Sequence, residues 1–360
     1  MINNYPRTIF FFIVAVITFN NSIAQSKNPG ADSVLDFILQ NKDRASLFVV
    51  KNNFLVAKLN ENRVMPLAST VKILIAVEFA KQAGNNIFDL NGYVPLSELD
   101  KYYIPNTDGN AHPKWLKHEK QLGHIKNDSI RMIDVARGMI QFSSNANTEY
   151  LMDTLGFDNV KSNFQIFGLT KHTPIYPLVS SLFIYQNPNE SKESGILRAI
   201  KKMSESQYDK MAFRFHDQLK YIPGFKNKFR PEDLSIDMQK LWSSRLPAST
   251  TKEYVQIDKV LNDRKYFGKS VYVVLANVLE TAMENPKIQE WIDHWGMKGG
   301  STTFVLTKSL YATLKSGTKI EMAYFFNNLT GAKNYRLQGW LNDFDLRVLS
   351  DNNFMKKTIF

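Results

Sequence analysis

Apolar and polar positions along this chain alternate at two different periods. In "DSVLDFILQ" (32–40), Val34, Leu35 and Ile38 fall on one helical face, with Asp32 or Ser33 placed to cap the first turn. "SLFVV" (46–50) and "FLVAKL" (54–59) are apolar runs of strand length separated by "KNN", which predicts a hairpin. "LASTVKILIAVEFA" (67–80) is apolar on nearly every helical face, the pattern of a buried helix. Towards the other end, "TTFVLT" (302–307), "SLYATL" (309–314) and "IEMAYFF" (320–326) read as three strands, the last two joined by "KSGTK". A final helix is expected through "YRLQGWLNDFDLRVL" (335–349), and residues 85–290 read as mostly helical. The pattern predicts an α/β (α+β) protein with one antiparallel sheet built from both termini, flanking helices and an inserted all-helical lobe. The expected α/β lobe takes in residues 30–66 and 290–350, and the helical lobe 67–289.

One apolar run belongs to neither lobe. Arg7, the 11-residue stretch Ile9–Phe19 and the small residues Ser22 and Ala24 describe a secretory signal peptide, residues 1–24. The run is well short of the roughly 20 residues needed to span a bilayer. The remaining residues, 25–360, are then expected to form a single exported, periplasmic or secreted, catalytic domain with no stable membrane span. Composition changes this picture little. An apolar share of 44% with 25 phenylalanines supplies a substantial core, and the absence of cysteine excludes disulfides and thiolate chemistry. The net charge of +11 suits an anionic envelope, and equally the ordinary solubility charge of a basic secreted protein. Nothing beyond bulk charge points to nucleic acid, and a monomer is expected.

The buried helix poses a chemical question, because Lys72 sits in its first turn, three residues after Ser69. A buried ammonium is costly without partners or a task. At i and i+3 both side chains project from one face, where a desolvated lysine of lowered pKa can act as a base for the hydroxyl. S-x-x-K is a weak motif alone and recurs at Ser249–Lys252 and Ser316–Lys319. The first of these reads as a helix cap and the second as a hairpin turn; only Ser69 opens an apolar helix directly after a strand. A second group is S-x-N at Ser143 and Asn145, between a helix ending near Phe142 and one running from 146 to 155. A third is "KGG" at Lys298–Gly300, leading into a strand where backbone can approach a ligand closely.

Together, in this order and with the flanks "MPLASTVK" and "ARGMIQFSSNANTEYLMDTLG", these groups resemble the penicillin-recognising serine acyltransferases, and most nearly the class A β-lactamases. Literal S-D-N and K-S-G triplets at 350–352 and 315–317 stand in the wrong order, in the terminal tail and a turn. The resemblance covers about residues 30–180 and 245–345. It implies that Ser69 is the acylated nucleophile, Lys72 its proton acceptor and Ser143 the donor to the leaving nitrogen. It implies that Asn145 binds the substrate amide and Lys298 its carboxylate, along a strand edge formed by Gly300, Ser301 and Thr302. The N–H groups of Ser69 and Ser301 would form the oxyanion hole. No metal or cofactor is implied. His112, His118 and His124 recur every six residues, which places them on different helix faces with no carboxylate cluster beside them.

The chain departs from that family in three places. The family carries a glutamate before a proline, which activates the water that frees the acyl-enzyme. Here, if Pro177 is that proline, Tyr176 takes the glutamate's position, while Glu149 replaces an asparagine that would face it. The expectation is a swapped pair, with Glu149 as the base or as acceptor for the Tyr176 hydroxyl. Gly299 replaces the family's threonine or serine, so Ser301 or Thr302 must compensate, and Lys308 is the candidate for a second cation. An insertion at about 183–245 is expected to be helical and solvated. The reaction expected is hydrolysis of a β-lactam amide with slow deacylation. The alternatives are a D,D-peptidase, transpeptidase or esterase-like activity on cell-wall peptides, and a non-catalytic protein that binds wall peptide.

Overall fold

A computed structural model describes residues 29–186 and 192–355. The expected signal peptide lies outside the described residues, as does a short part of the insertion.

Helix α1 (Pro29–Gln40) leads into the hairpin β1 (Ala45–Lys51) and β2 (Phe54–Leu59). Asn52 and Asn53 turn the hairpin with φ of 48° and 66°, the left-handed pair that a two-residue turn needs. A short 3₁₀ turn, Ala68–Val71, then feeds α2 (Lys72–Gly84), nearly all of it buried. The helices that frame the site are α3 (Ala111–Gln121), α4 (Met132–Gln141), α5 (Asn145–Leu155) and, within the insertion, α6 (Glu205–Tyr221). Then come α7 (Thr251–Asp263), the strands β3 (Ile292–Ser301), β4 (Leu306–Leu314) and β5 (Lys319–Phe326), and α8 (Gly331–Ser350).

The sheet runs β2–β1–β5–β4–β3, antiparallel throughout, with both termini contributing as expected. Its two faces are covered differently. One carries α1 and α8, whose Val34, Ile38, Leu341 and Phe344 pack with Leu47, Met322 and Phe326 of the strands. The other carries α7, and a second core extends from there through α2 into the helical lobe. Helix α7 therefore packs on β4, β5 and β1, although the sequence places it with the helical lobe.

The strand pattern also needs correction. The first of the three C-terminal strands is Ile292–Ser301, so K-G-G lies inside a strand and does not lead into one. Residues 302–305 form the connection, and the runs at 302–307 and 309–314 merge into β4. Glycines depress strand propensity and conceal β3 in the sequence. They are there because neighbours come close: a Cβ on Gly296 would lie 2.3 Å from the ring of Tyr311, its cross-strand partner.

Candidate active site

Ser69 lies in the 3₁₀ turn ahead of α2, and the residue before it, Ala68, has φ +46°. A left-handed alanine costs about 1–2 kcal/mol and persists only where its surroundings fix it. They do: Thr307 Oγ1 of β4 donates to Leu67 O at 2.7 Å and meets Thr70 Oγ1 at 2.8 Å. Gly300 of β3 seals the same junction, because a Cβ there would stand 2.5 Å from both Leu67 O and Ser69 N. The Ser69 N–H thus faces a strand that can lie this close only without a side chain.

The second corner is the α4–α5 turn. Ser143 has φ +64°, and Ser144 caps α5 by accepting from Asn147 N at 3.2 Å. Lys72 reaches this corner from α2. Its Nζ donates to Ser143 O at 2.8 Å, Asn145 Oδ1 at 2.9 Å and Ser143 Oγ at 3.1 Å. Lys298 Nζ of β3 donates to the same Ser143 Oγ at 3.1 Å, and to Gly299 O at 2.8 Å. One hydroxyl therefore bridges two lysines. Neither has a carboxylate ion-pair partner among the described residues, and both are buried. Burial, then repulsion from Lys298, pushes Lys72 well below the usual lysine range, against a weaker pull from Asp108. Burial, with repulsion from Lys308, brings Lys298 down to about 7.

A cleft of 490 Å³ opens over this junction. Ser69, Ser143, Asn145, Lys298, Gly300 and Ser301 all line it, and Lys72 lies behind it. Thr302 does not join them. Its hydroxyl accepts from Ser243 Oγ at 2.9 Å and from the N–H groups of Phe304 and Val305, holding the β3–β4 connection. Of the two residues expected to compensate for Gly299, only Ser301 borders the cleft, its hydroxyl accepting from Gln338 Nε2 at 2.8 Å.

Lys308 borders the cleft too, but as one half of an ion pair. It pairs across from Gly299, one position out of step with Lys298, so it falls on the α8 face and donates to buried Asp345. Its charge is compensated there, which removes it as a free second cation.

The expected Glu149–Tyr176 pair is absent. The Tyr176 hydroxyl donates to Arg245 O at 2.5 Å, and burial pushes its pKa well up. Glu149 accepts from Val179 N at 2.7 Å, Ser180 N at 3.2 Å, Ser180 Oγ and His216 Nδ1 at 3.1 Å. Neither residue borders the cleft. Glu149 instead binds the 179–180 backbone and the inserted helix α6 to α5. His216 also meets Asp153 Oδ1 at 3.2 Å and stacks on Tyr102 with centroids 5.1 Å apart. Burial opposes its charge, but the hydrogen bonds it donates to Asp153 and Glu149 outweigh that and raise its pKa to about 9. The insertion is helical as expected, but this face of it is buried structure.

Carboxylates do accompany one of the spaced histidines, contrary to expectation. His124 Nδ1 lies 2.7 Å from Glu119 and 3.9 Å from Asp134. Arg131 holds both oxygens of Asp134, at 2.7 and 3.0 Å, so the group is an ion-pair cluster.

Sequence reasoning missed several polar residues of the cleft, among them Asp108, Gln338 and Asn342. Asp108 sits in "NTDGN", which reads as a polar turn, and the other two lie on the terminal helix far from any motif. No local signal marks them.

Fold and cleft define a β-lactamase-like serine enzyme. The model of the Beta-lactamase enzyme family matches residues 31–267, and the chain belongs to that family as a divergent member. That match takes in Ser69, Lys72 and the Ser143 corner and stops short of β3. Solved structures share the fold. A β-lactamase from Sphaerobacter thermophilus is 16% identical, with TM-score 0.52 over 90% of this chain and 98% of the other. One from Chitinophaga pinensis is 13% identical, with TM-score 0.51 over 89% and 99%. A class A β-lactamase from Mycobacterium abscessus is 12% identical, with TM-score 0.52 over 89% and 99%. No curated protein matches the chain in sequence.

Proposed function

We propose that this protein is an exported serine hydrolase that forms an acyl-Ser69 intermediate and opens the amide of β-lactams, with slow deacylation. The observation that carries the reading is Ser143 Oγ standing 3.1 Å from both Lys72 Nζ and Lys298 Nζ at the edge of the cleft that Ser69 lines. A neutral lysine amine has two N–H bonds and one lone pair. Ser143 O and Asn145 Oδ1 can accept only N–H, so in the neutral form the 3.1 Å contact with Ser143 Oγ falls to the lone pair, which can take a hydroxyl proton. Burial, then repulsion from Lys298, lowers the Lys72 pKa and so favours that neutral form.

In the first step the Ser69 proton passes to Lys72, and Oγ attacks the carbonyl carbon. The carbonyl π pair moves to oxygen, where the N–H groups of Ser69 and Ser301 receive it. When the tetrahedral adduct collapses, the C–N bond breaks. The proton taken by Lys72 reaches the leaving nitrogen through Ser143, leaving an ester on Ser69 and a free amine. Asn145 would hold the acyl amide and Lys298 the carboxylate. Water must then cleave the ester, and no carboxylate stands free for it where Glu149 and Tyr176 lie. That same observation favours a second reading, a D,D-peptidase or transpeptidase working on cell-wall peptides through a long-lived acyl-enzyme.

Export follows from the N-terminal run as a reading of sequence. Among the described residues no helix is long and apolar enough to cross a membrane. Mass spectrometry of the purified protein with benzylpenicillin over time is the test. An adduct that persists for many minutes and is absent in Ser69→Ala is the expected result. Rapid appearance and loss would mean efficient hydrolysis, and no adduct would overturn both lactam readings in favour of binding alone.

A further inference from the structure

Among the described residues two carboxylates line the cleft, Asp108 and Glu284. Glu284 is compensated by Arg137. Asp108 is different: it is buried, at 3% exposure, and has no ion-pair contact among the described residues; burial raises its pKa, and Lys72 opposes that only through space. Its two oxygens accept from Ala111 N at 3.1 Å and His112 N at 2.9 Å, at the start of α3. The same helix docks on the S-x-N corner through His112 Nδ1, 2.9 Å from Ser144 Oγ. The carboxylate is thereby fixed on the Ser144–Asn145 side of the cleft. The cations that could answer it are engaged elsewhere. Lys72 spends its Nζ on Ser143 and Asn145, Lys298 on Ser143 and Gly299, and Lys308 on Asp345. A buried carboxylate with backbone donors and no cation in contact is a site that a ligand cation can complete.

We propose that Asp108 is a specificity-determining residue that pairs with an ammonium group on the acyl side of the substrate, so that the cleft prefers cationic acyl groups. The proposal rests on the acyl-Ser69 reading for which end of the substrate lies there. A carboxylate on one wall and Lys298 on the other suit a zwitterionic ligand, its ammonium towards Asp108 and its carboxylate towards β3. A metal ion is a poorer match, because among the described residues no second free carboxylate or imidazole joins Asp108 in lining the cleft.

The experiment compares ampicillin with benzylpenicillin, which differ by one α-ammonium group. Non-covalent affinity is measured by calorimetry on the Ser69→Ala protein, where no ester forms, so the result does not depend on acylation. Ampicillin is expected to bind about tenfold tighter or more, the scale of a hydrogen bond between charged groups. Asp108→Asn in the same background should bring the ratio to about one. Asp108→Ser, which keeps an acceptor for the first N–H groups of α3, should do the same and covers the case in which the first variant folds poorly. Equal affinities in the Ser69→Ala protein, no binding of either lactam, or a preference that survives both substitutions would overturn the proposal. Absence of an adduct in the wild-type mass spectrum would instead overturn the acyl-enzyme reading, so the two failures are distinguishable.

Discussion

Two buried polar corners meet on α5, one around Lys72 and one around His216. Burial alone would remove the charge from both. At the first, Lys72 and Lys298 surround a neutral hydroxyl with no carboxylate in contact, and both pKa values fall, Lys298 to about 7. At the second, His216 lies between Glu149 and Asp153, and its pKa rises to about 9 despite the same desolvation. The difference lies in partners, not depth. A buried lysine with no carboxylate in contact is pushed towards its neutral form, while a histidine given two carboxylates holds its charge and acts as a strut. The corner that borders the cleft is the one without a contacting carboxylate, which is where the proposed reaction needs a proton to move.

The largest test of this contrast attacks the uncompensated corner. Gly300→Ala forces a Cβ to within 2.5 Å of Ser69 N and Leu67 O, so the 3₁₀ turn or β3 must shift. Acylation by benzylpenicillin, followed as adduct formation, should slow about a hundredfold or more, the scale of losing an oxyanion donor. An unchanged rate would mean that the Ser69–Gly300 junction has no role in catalysis. The compensated corner should respond in stability. Glu149→Gln turns an acceptor of four hydrogen bonds into a side chain whose NH₂ opposes Ser180 and His216 donors, and leaves His216 with one carboxylate. The loss expected is about 3 kcal/mol, read as a melting temperature several degrees lower. The lifetime of the acyl-enzyme should not change. If it lengthens tenfold, Glu149 is the deacylating base after all.

The His216 strut also makes a pH prediction. Its pKa is raised in the folded protein, so its stabilisation is complete below about 6.5, the unfolded value, and is lost as pH rises through about 9. Between those limits the melting temperature of the wild type should fall relative to His216→Gln, and parallel curves would dismiss the charge on His216. The smallest effect concerns Gly299, where a Cβ meets nothing nearer than Thr307 O at 3.5 Å. Gly299→Thr should fit and return the hydroxyl usual in the family. Affinity of the Ser69→Ala protein for benzylpenicillin should rise about two- to tenfold, the worth of one hydrogen bond. No gain would mean that the cleft does not hold a carboxylate at β3.

Much of the Ser69–Lys72–Ser143 corner was legible along the chain, because its parts are local. S-x-x-K occupies one helical turn, S-x-N one inter-helix turn, and the hairpins and amphipathic helices follow from spacing. Strand β3 was misplaced because its glycines answer to Tyr311 and Ser69, contacts that no local pattern records. Thr302 and Lys308 went wrong for a related reason. Sheet register decides which face a strand residue takes, and β3–β4 pairing sends Lys308 to Asp345 on α8.

By itself, then, the amino-acid sequence determined the elements, the order of the motifs and the presence of a serine and a lysine one turn apart on a buried helix. Only the tertiary structure decided which buried charges have partners. Glu149 finds His216 across 67 residues, Tyr176 finds Arg245 across 69, and Asp108 reaches the cleft with no cation in contact. Periodicity reports whether a side chain faces inward. What it meets there is set by other segments, and for an ionisable group that meeting fixes whether it holds the fold together or handles a proton.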